Sequence, residues 1–148
     1  MKTLITRTLI TGALLFATSA FAAGALSEPE RAPDKLDGVR AQIAAKNFPG
    51  AIDELKRVND AGNADWNNLM GFSLRKTGDY KQAYTFYRKA LDFDPDHKGA
   101  LEYLGELYVE TGQVEKAREN VVLLKKLCPG GCEELADLEH AIASAKVN

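Results

Sequence analysis

The chain runs to 148 residues with a formal net charge of −2, 45% hydrophobic residues and two cysteines. No block of basic residues occurs, which excludes a nucleic-acid surface. Long apolar stretches are confined to the first residues, so no membrane span is expected once these are removed.

Residues 1–22 read as a signal peptide. Lys2 and Arg7 give a positive start, an apolar run extends from Leu9 to Phe16, and Ala20-Phe21-Ala22 is a small-x-small cleavage site. The run is shorter than the ~20 residues that a bilayer span takes. Cleavage after Ala22 is therefore favoured over an uncleaved anchor, with the periplasm or the exterior as destination. Processing would leave 126 residues, one domain by length, with 17 basic against 21 acidic side chains and a net charge of −4.

Residues 23–33 carry Glu28, Pro29, Glu30, Arg31 and Pro33 with little that could pack, and read as a flexible leader. Asp34 is the expected N-cap of a first helix whose apolar stripe is Leu36, Val39 and Ile43. The run Asn47-Phe48-Pro49-Gly50-Ala51 echoes the later Asp79-Tyr80-Lys81-Gln82-Ala83, and Ile52, Leu55 and Val58 continue the echo. Pro49 near a helix start is tolerated because the N–H it lacks would be unpaired there. Residues 34–63 thus read as a degenerate unit. It has Arg40 at the position of a packing glycine, lacks the closing proline, and leaves through the turn Asn59-Asp60-Ala61-Gly62-Asn63.

Residues 64–131 are one unit written twice. A shift of 34 positions superposes Gly71 on Gly105, Thr77 on Thr111, Gly78 on Gly112, Ala83 on Ala117 and Pro95 on Pro129. Met70 then falls on Leu104, Leu74 on Tyr108 and Tyr87 on Val121. Such a period marks a stacked-repeat protein. In the second copy Leu101, Leu104 and Tyr108 form one helical stripe, broken by Gly105. A glycine inside a helix costs roughly 1 kcal/mol against alanine, which implies close approach of a neighbouring helix. Thr111-Gly112 supplies a helix stop. A second stripe follows at Val114, Ala117, Val121 and Leu124, and Cys128-Pro129 closes it. Two such helices bury both faces only when the next pair stacks on them.

At these positions the chain resembles the tetratricopeptide repeat. The second copy reads Leu101, Leu104-Gly105, Tyr108, Ala117, Val121, Pro129, and the first reads Met70-Gly71, Leu74, Ala83, Tyr87, Pro95. It departs at Asn67, where a large residue is usual, with Trp66 one position early. The repeats would span residues 64–97 and 98–131. Residues 132–148 would add a capping helix, with Leu135, Leu138, Ile142 and Ala145 on its apolar face and Glu133, Glu134 and Lys146 placed to suit its dipole. The fold expected is all-α, seven helices and no strands: a right-handed α-solenoid of antiparallel helix pairs. Gly71, Ala83, Pro95, Gly105, Ala117 and Pro129 would be its repeat-packing positions. The resemblance implies a concave groove that binds peptides or protein segments, and implies no chemistry and no cofactor.

In that family the groove wall comes from the first helix of each pair. It would present Asp65, Asn68, Phe72, Arg75 and Lys76, then Glu102, Glu106, Val109 and Glu110. Glu102, Glu106 and Glu110 stand at i, i+4, i+8 and repel by a few tenths of a kcal/mol. One reading is a split-charge groove for a mixed-charge peptide. The other, favoured here, pairs Arg75 and Lys76 with the neighbouring glutamates on a solvated surface. The basic and asparagine set by which some members clamp a terminal carboxylate is absent.

Cys128 and Cys132, in Cys-Pro-Gly-Gly-Cys, are the only cysteines. In an oxidising compartment a structural disulfide is the simplest reading, setting the angle of the capping helix. A redox-active pair has the wrong spacing and context. A metal site would have only His97 and His140 to draw on, neither at ligand spacing, and both read as surface residues. The leading function is a non-catalytic interaction module with a protein or peptide partner. Thiol redox or metal handling through the cysteines is the alternative, and self-association through an end of the stack is a third.

Overall fold

The computed structural model describes residues 34–145; the residues read above as a signal peptide and a leader, and Lys146, lie outside them. The described residues form seven helices and no strand: α1 (Asp37–Ala44), α2 (Phe48–Val58), α3 (Ala64–Lys76), α4 (Tyr80–Phe93), α5 (Lys98–Glu110), α6 (Val114–Leu127) and α7 (Glu133–Ala145). None is long and apolar enough to cross a membrane. The architecture is an all-α solenoid of antiparallel helix pairs, α1/α2, α3/α4 and α5/α6, with α7 laid on the end.

Local chemistry sets the helix starts. The side chains of Asn47, Asn63 and Asp79 accept the N–H of Gly50, Trp66 and Gln82 at 3.2, 3.0 and 3.0 Å. Each satisfies a donor that the first helical turn leaves free. His97 is a fourth cap, not the plain turn residue expected. Its Nδ1 accepts from Ala100 N–H at 3.1 Å while Nε2 lies 2.9 Å from Asp65 Oδ1, tying the start of α5 to α3. The hairpin turns need a left-handed residue, which Gly78 (φ +88°) and Gly112 (φ +75°) supply without a Cβ penalty. In the degenerate first pair the equivalent residue is Lys46, held at φ 57°.

Two expectations are corrected. Asp34 does not cap α1, whose N-cap is Leu36 without a side-chain bond. Asp34 instead accepts from Leu36 N–H at 3.1 Å and from Arg40 Nη1 at 2.6 Å, while Arg40 Nη2 lies 3.7 Å from Asp65 of α3. Pro95 and Pro129 are exposed and are not packing positions. They follow α4 and α6 as terminators, because the residue before each, Asp94 and Cys128, is pushed out of helical geometry.

The helical stripes merge into one core that includes Val39, Leu55, Met70, Tyr87, Leu104, Leu124 and Leu138. Ala83 and Ala117 are fully buried. Gly71 and Gly105 mark close approaches of different kinds. A Cβ on Gly71 would lie 2.7 Å from the ring of Tyr87 in the same pair, whereas one on Gly105 would lie 2.6 Å from Leu138 of α7. Polar bridges lock the helices together. Trp66 Nε1 donates to the Leu55 carbonyl at 2.9 Å, joining α3 to α2, and Asn120 Nδ2 donates to the Leu101 carbonyl at 2.8 Å, joining α6 to α5. Asn67 fits where a large residue is usual because its Nδ2 reaches the Ala61 and Asn63 carbonyls, both at 2.8 Å.

Cys128 and Cys132 form a disulfide with a Cα–Cα separation of 6.0 Å. It staples the C-cap of α6 to the residue that precedes α7.

Candidate functional site

The first helices form a continuous wall. α3 touches α5 and α5 touches α7, while α4 and α6 make no comparable contact. A row whose members touch is shorter than one whose members do not, so the stack curves toward α3, α5 and α7. Leu138 stands 34 positions after Leu104, which gives α7 the place of a first helix.

Nine residues were expected along this wall, and the structure separates them. Asp65, Lys76 and Glu110 are exposed, Phe72, Glu106 and Val109 are half-buried, and Asn68, Arg75 and Glu102 are buried. Arg75 pairs with the neighbouring glutamates as expected, but out of solvent rather than on a solvated surface. Its side chain is only 2% exposed, and it bonds Glu110 at 2.7 Å and Glu106 in a still shorter contact across the α3–α5 seam. The guanidinium lies 5.7 Å from the centre of the Phe72 ring and 5.8 Å from that of Tyr103, so aromatic faces replace its water. Burial alone would lower the Arg75 pKa, but Tyr87, Glu106 and Glu110 outweigh it and hold the charge. Burial pushes the Tyr87 hydroxyl well above its ordinary value, with Arg75 opposing. That hydroxyl feels the arginine but makes no hydrogen bond of acceptable geometry. Arg75 is thus a strut between repeats. Lys76 lies over the Phe72 ring, 5.2 Å from its centre, and has no ion pair among the described residues.

Beside this strut the wall dips into a recess of about 220 Å³ shared by three helices. Asn68 comes from α3, Gly99, Glu102 and Tyr103 from α5, and Glu134 and Asp137 from α7. Glu102 is 7% exposed and has no hydrogen bond or ion pair among the described residues. Desolvation pushes its pKa up to about 8, and the charges of Glu106, Asp137 and Glu134 push the same way while Arg75 opposes them weakly. Asn68 is 6% exposed, and its Oδ1 has no partner. Gly99 makes room for it, since a Cβ there would meet Asn68 Nδ2 at 3.2 Å. Tyr103 is pushed up to about 12, by burial first and then by Glu102 and Glu106.

Sequence reasoning missed Gly99, Tyr103 and Asp137. Position on a helix gave no sign that α7 would bring Asp137 to the turn of α5 that holds Glu102. Among the described residues, no group of three or more His, Cys, Asp or Glu side chains is arranged to hold a metal ion.

Comparison with known proteins agrees with this repeat architecture. Residues 74–124 match a family model described as "Tetratricopeptide repeat". The chain is 26% identical over 102 residues to the uncharacterized protein ycf37 of Guillardia theta, covering 69% of this chain and 52% of that one. It thus spans about half the length of that relative. Among solved structures it resembles the type III secretion translocator chaperone SycD of Yersinia enterocolitica, with a TM-score of 0.65 and 16% identity over 80% of this chain and 97% of that one. SycD also matches in complex with a peptide of the translocator YopD, at a TM-score of 0.63. The second TPR domain of human RPAP3, in complex with an HSP70 peptide, has a TM-score of 0.62 and 18% identity over 72% of this chain and 91% of that domain. At such identities these likenesses establish the fold.

Proposed function

We propose that this chain is an exported, non-catalytic tetratricopeptide-repeat module that binds a protein or peptide segment along its first-helix wall. The observation that carries the reading is the continuous α3–α5–α7 wall, which combines half-buried Phe72 and Val109 with exposed Lys76 and a recess. A surface of mixed apolar and charged groups on rigid helices suits an extended segment better than a small molecule. SycD and RPAP3, which share the fold, are both seen holding peptides. Export rests on the signal features of residues 1–22. The non-catalytic reading rests on the composition of the wall, which offers carboxylates, amides and aromatic rings without a nucleophile paired to a base among the described residues.

The test is cross-linking in cells followed by recovery of the tagged protein. A partner should be retained by the wild type and lost when Lys76→Glu and Val109→Asn are combined. Neither side chain forms a hydrogen bond or ion pair among the described residues, and folding of the variant is checked by circular dichroism. A partner retained equally by the variant would move binding off this wall. Mass spectrometry of the recovered chain should give a mature N-terminus at Ala23, and a chain still beginning at Met1 would remove the export reading.

A further inference from the structure

We infer that the recess between α3, α5 and α7 is a pocket for one cationic side chain, the lysine ammonium or arginine guanidinium of a bound peptide. This rests on the proposed peptide-binding wall and adds the chemistry of one subsite. Three observations point the same way. The lining is acidic and holds no cation: Glu102 on α5, Glu134 and Asp137 on α7, with Glu133 beside them. Glu102 is 7% exposed and has no hydrogen bond or ion pair among the described residues, so its carboxyl is poorly hydrated, and of the nearby charges only that of Arg75 favours its ionisation. Asn68 lines the opposite wall, α3, with a buried side chain whose Oδ1 has no partner, and the Cβ that Gly99 lacks leaves room for its Nδ2.

The helix dipole accounts for part of this cluster and not for the rest. Glu133 and Glu134 sit in the first turn of α7, where a carboxylate is favoured on its own account. Asp137 is one turn further on, and Glu102 is beyond the first turn of α5 and buried. Buried polar groups normally find partners. A positively charged group entering from a peptide would neutralise Glu102, and as a pure donor it would add no acceptor in need of a partner. A buried carboxyl left unpaired costs stability, and such a cost is the usual accompaniment of a site kept for binding.

Protonation gives the site a direction. At neutral pH the buried carboxyl of Glu102 holds a proton, because Glu106 on its own helix and Glu134 and Asp137 on α7 oppose its ionisation, and only Arg75 on α3 favours it. A cation entering the recess displaces that proton, so binding should tighten as pH rises toward 8.

The experiment uses the purified, isotopically labelled protein and four capped pentapeptides, Gly-Gly-X-Gly-Gly, with X lysine, arginine, norleucine or glutamate. Saturable NMR shifts are expected at Gly99, Glu102 and the Asn68 side-chain amide with the lysine or arginine peptide, and not with the other two. Affinity should fall about tenfold or more in Glu102→Gln/Asp137→Asn. It should rise severalfold from about pH 6.5 to about pH 8.5. Glutamine matches glutamate in shape, so the variant should fold, and its thermal midpoint reports that it has. Equal shifts with norleucine, or none that saturate with either cationic peptide, would overturn the pocket. So would shifts that spread over every surface carboxylate and vanish at physiological salt. A cellular partner lost on changing Lys76 and Val109 but indifferent to Glu102→Gln would defeat the pocket and leave the wall standing.

Discussion

Leu138 of α7 rests on the bare backbone of Gly105 in α5, so closely that a Cβ on the glycine would lie 2.6 Å from its methyl groups. Leu138 is fully buried and cannot swing away. Gly105→Ala should therefore cost stability although alanine is the better helix former. Overpacking takes about 1–3 kcal/mol and propensity returns about 1. Gly105→Leu should lower the midpoint by about 10 °C or more, since each kcal/mol moves a domain of this size by ~4–8 °C. The buried Trp66, the only tryptophan, reports unfolding by fluorescence. Leu138→Ala should recover part of the loss in Gly105→Ala, giving a less than additive double mutant. Full additivity would separate the two residues.

Arg75→Ala should destabilise by about 3 kcal/mol. Removing one partner of a buried pair typically costs about 3–5 kcal/mol, and Glu106 and Glu110 are exposed enough to recover some hydration. Because the arginine is out of water, high salt should not erase the difference, as it would for a surface pair. Denaturant unfolding of both proteins at low and high salt measures this. A loss that disappears in salt would place Arg75 on the surface.

Glu102 has its pKa raised in the folded state, to about 8 from an ordinary carboxyl value. The folded protein therefore binds more protons than the unfolded chain between the two values, and stability falls as pH rises through that window. Glu102→Gln should remove the loss. The variant should match the wild type near pH 4, exceed it increasingly up to about pH 8, and level off above. Midpoints across this range check it, and a variant less stable at pH 8 would show that the carboxylate has a partner.

Lys46 occupies the turn position that glycine fills in the other two pairs, at φ 57°. A side chain in that conformation costs roughly 1–2 kcal/mol, against which glycine loses roughly 0.5–1 kcal/mol of backbone entropy. Lys46→Gly should thus stabilise by several tenths of a kcal/mol, and Gly78→Lys should destabilise by a similar amount. Urea midpoints distinguish the signs.

Much of the fold is legible in the order of residues along the chain. The period of 34, the glycines at helix stops and the apolar spacing identify helix pairs that must stack, because each pair has an apolar face it cannot cover alone. These signals are local, within one turn or one hairpin. The wall was legible only as a row of positions. Arg75, Asn68 and Glu102 look alike on paper to Lys76, Asp65 and Glu110, yet three are buried and three exposed. Their exposure depends on how far α5 rotates against α3 and where α7 lands.

Sequence alone determined that this is a helical repeat protein, and where its hairpins turn, since turn chemistry acts over a few residues. Tertiary structure alone decided that Arg75 is a strut, that Gly105 meets Leu138 rather than its own partner helix, and that Glu102 faces Asp137 across a recess. Those relations join residues more than 30 positions apart, and only the packing of three helices brings their charges and surfaces within reach.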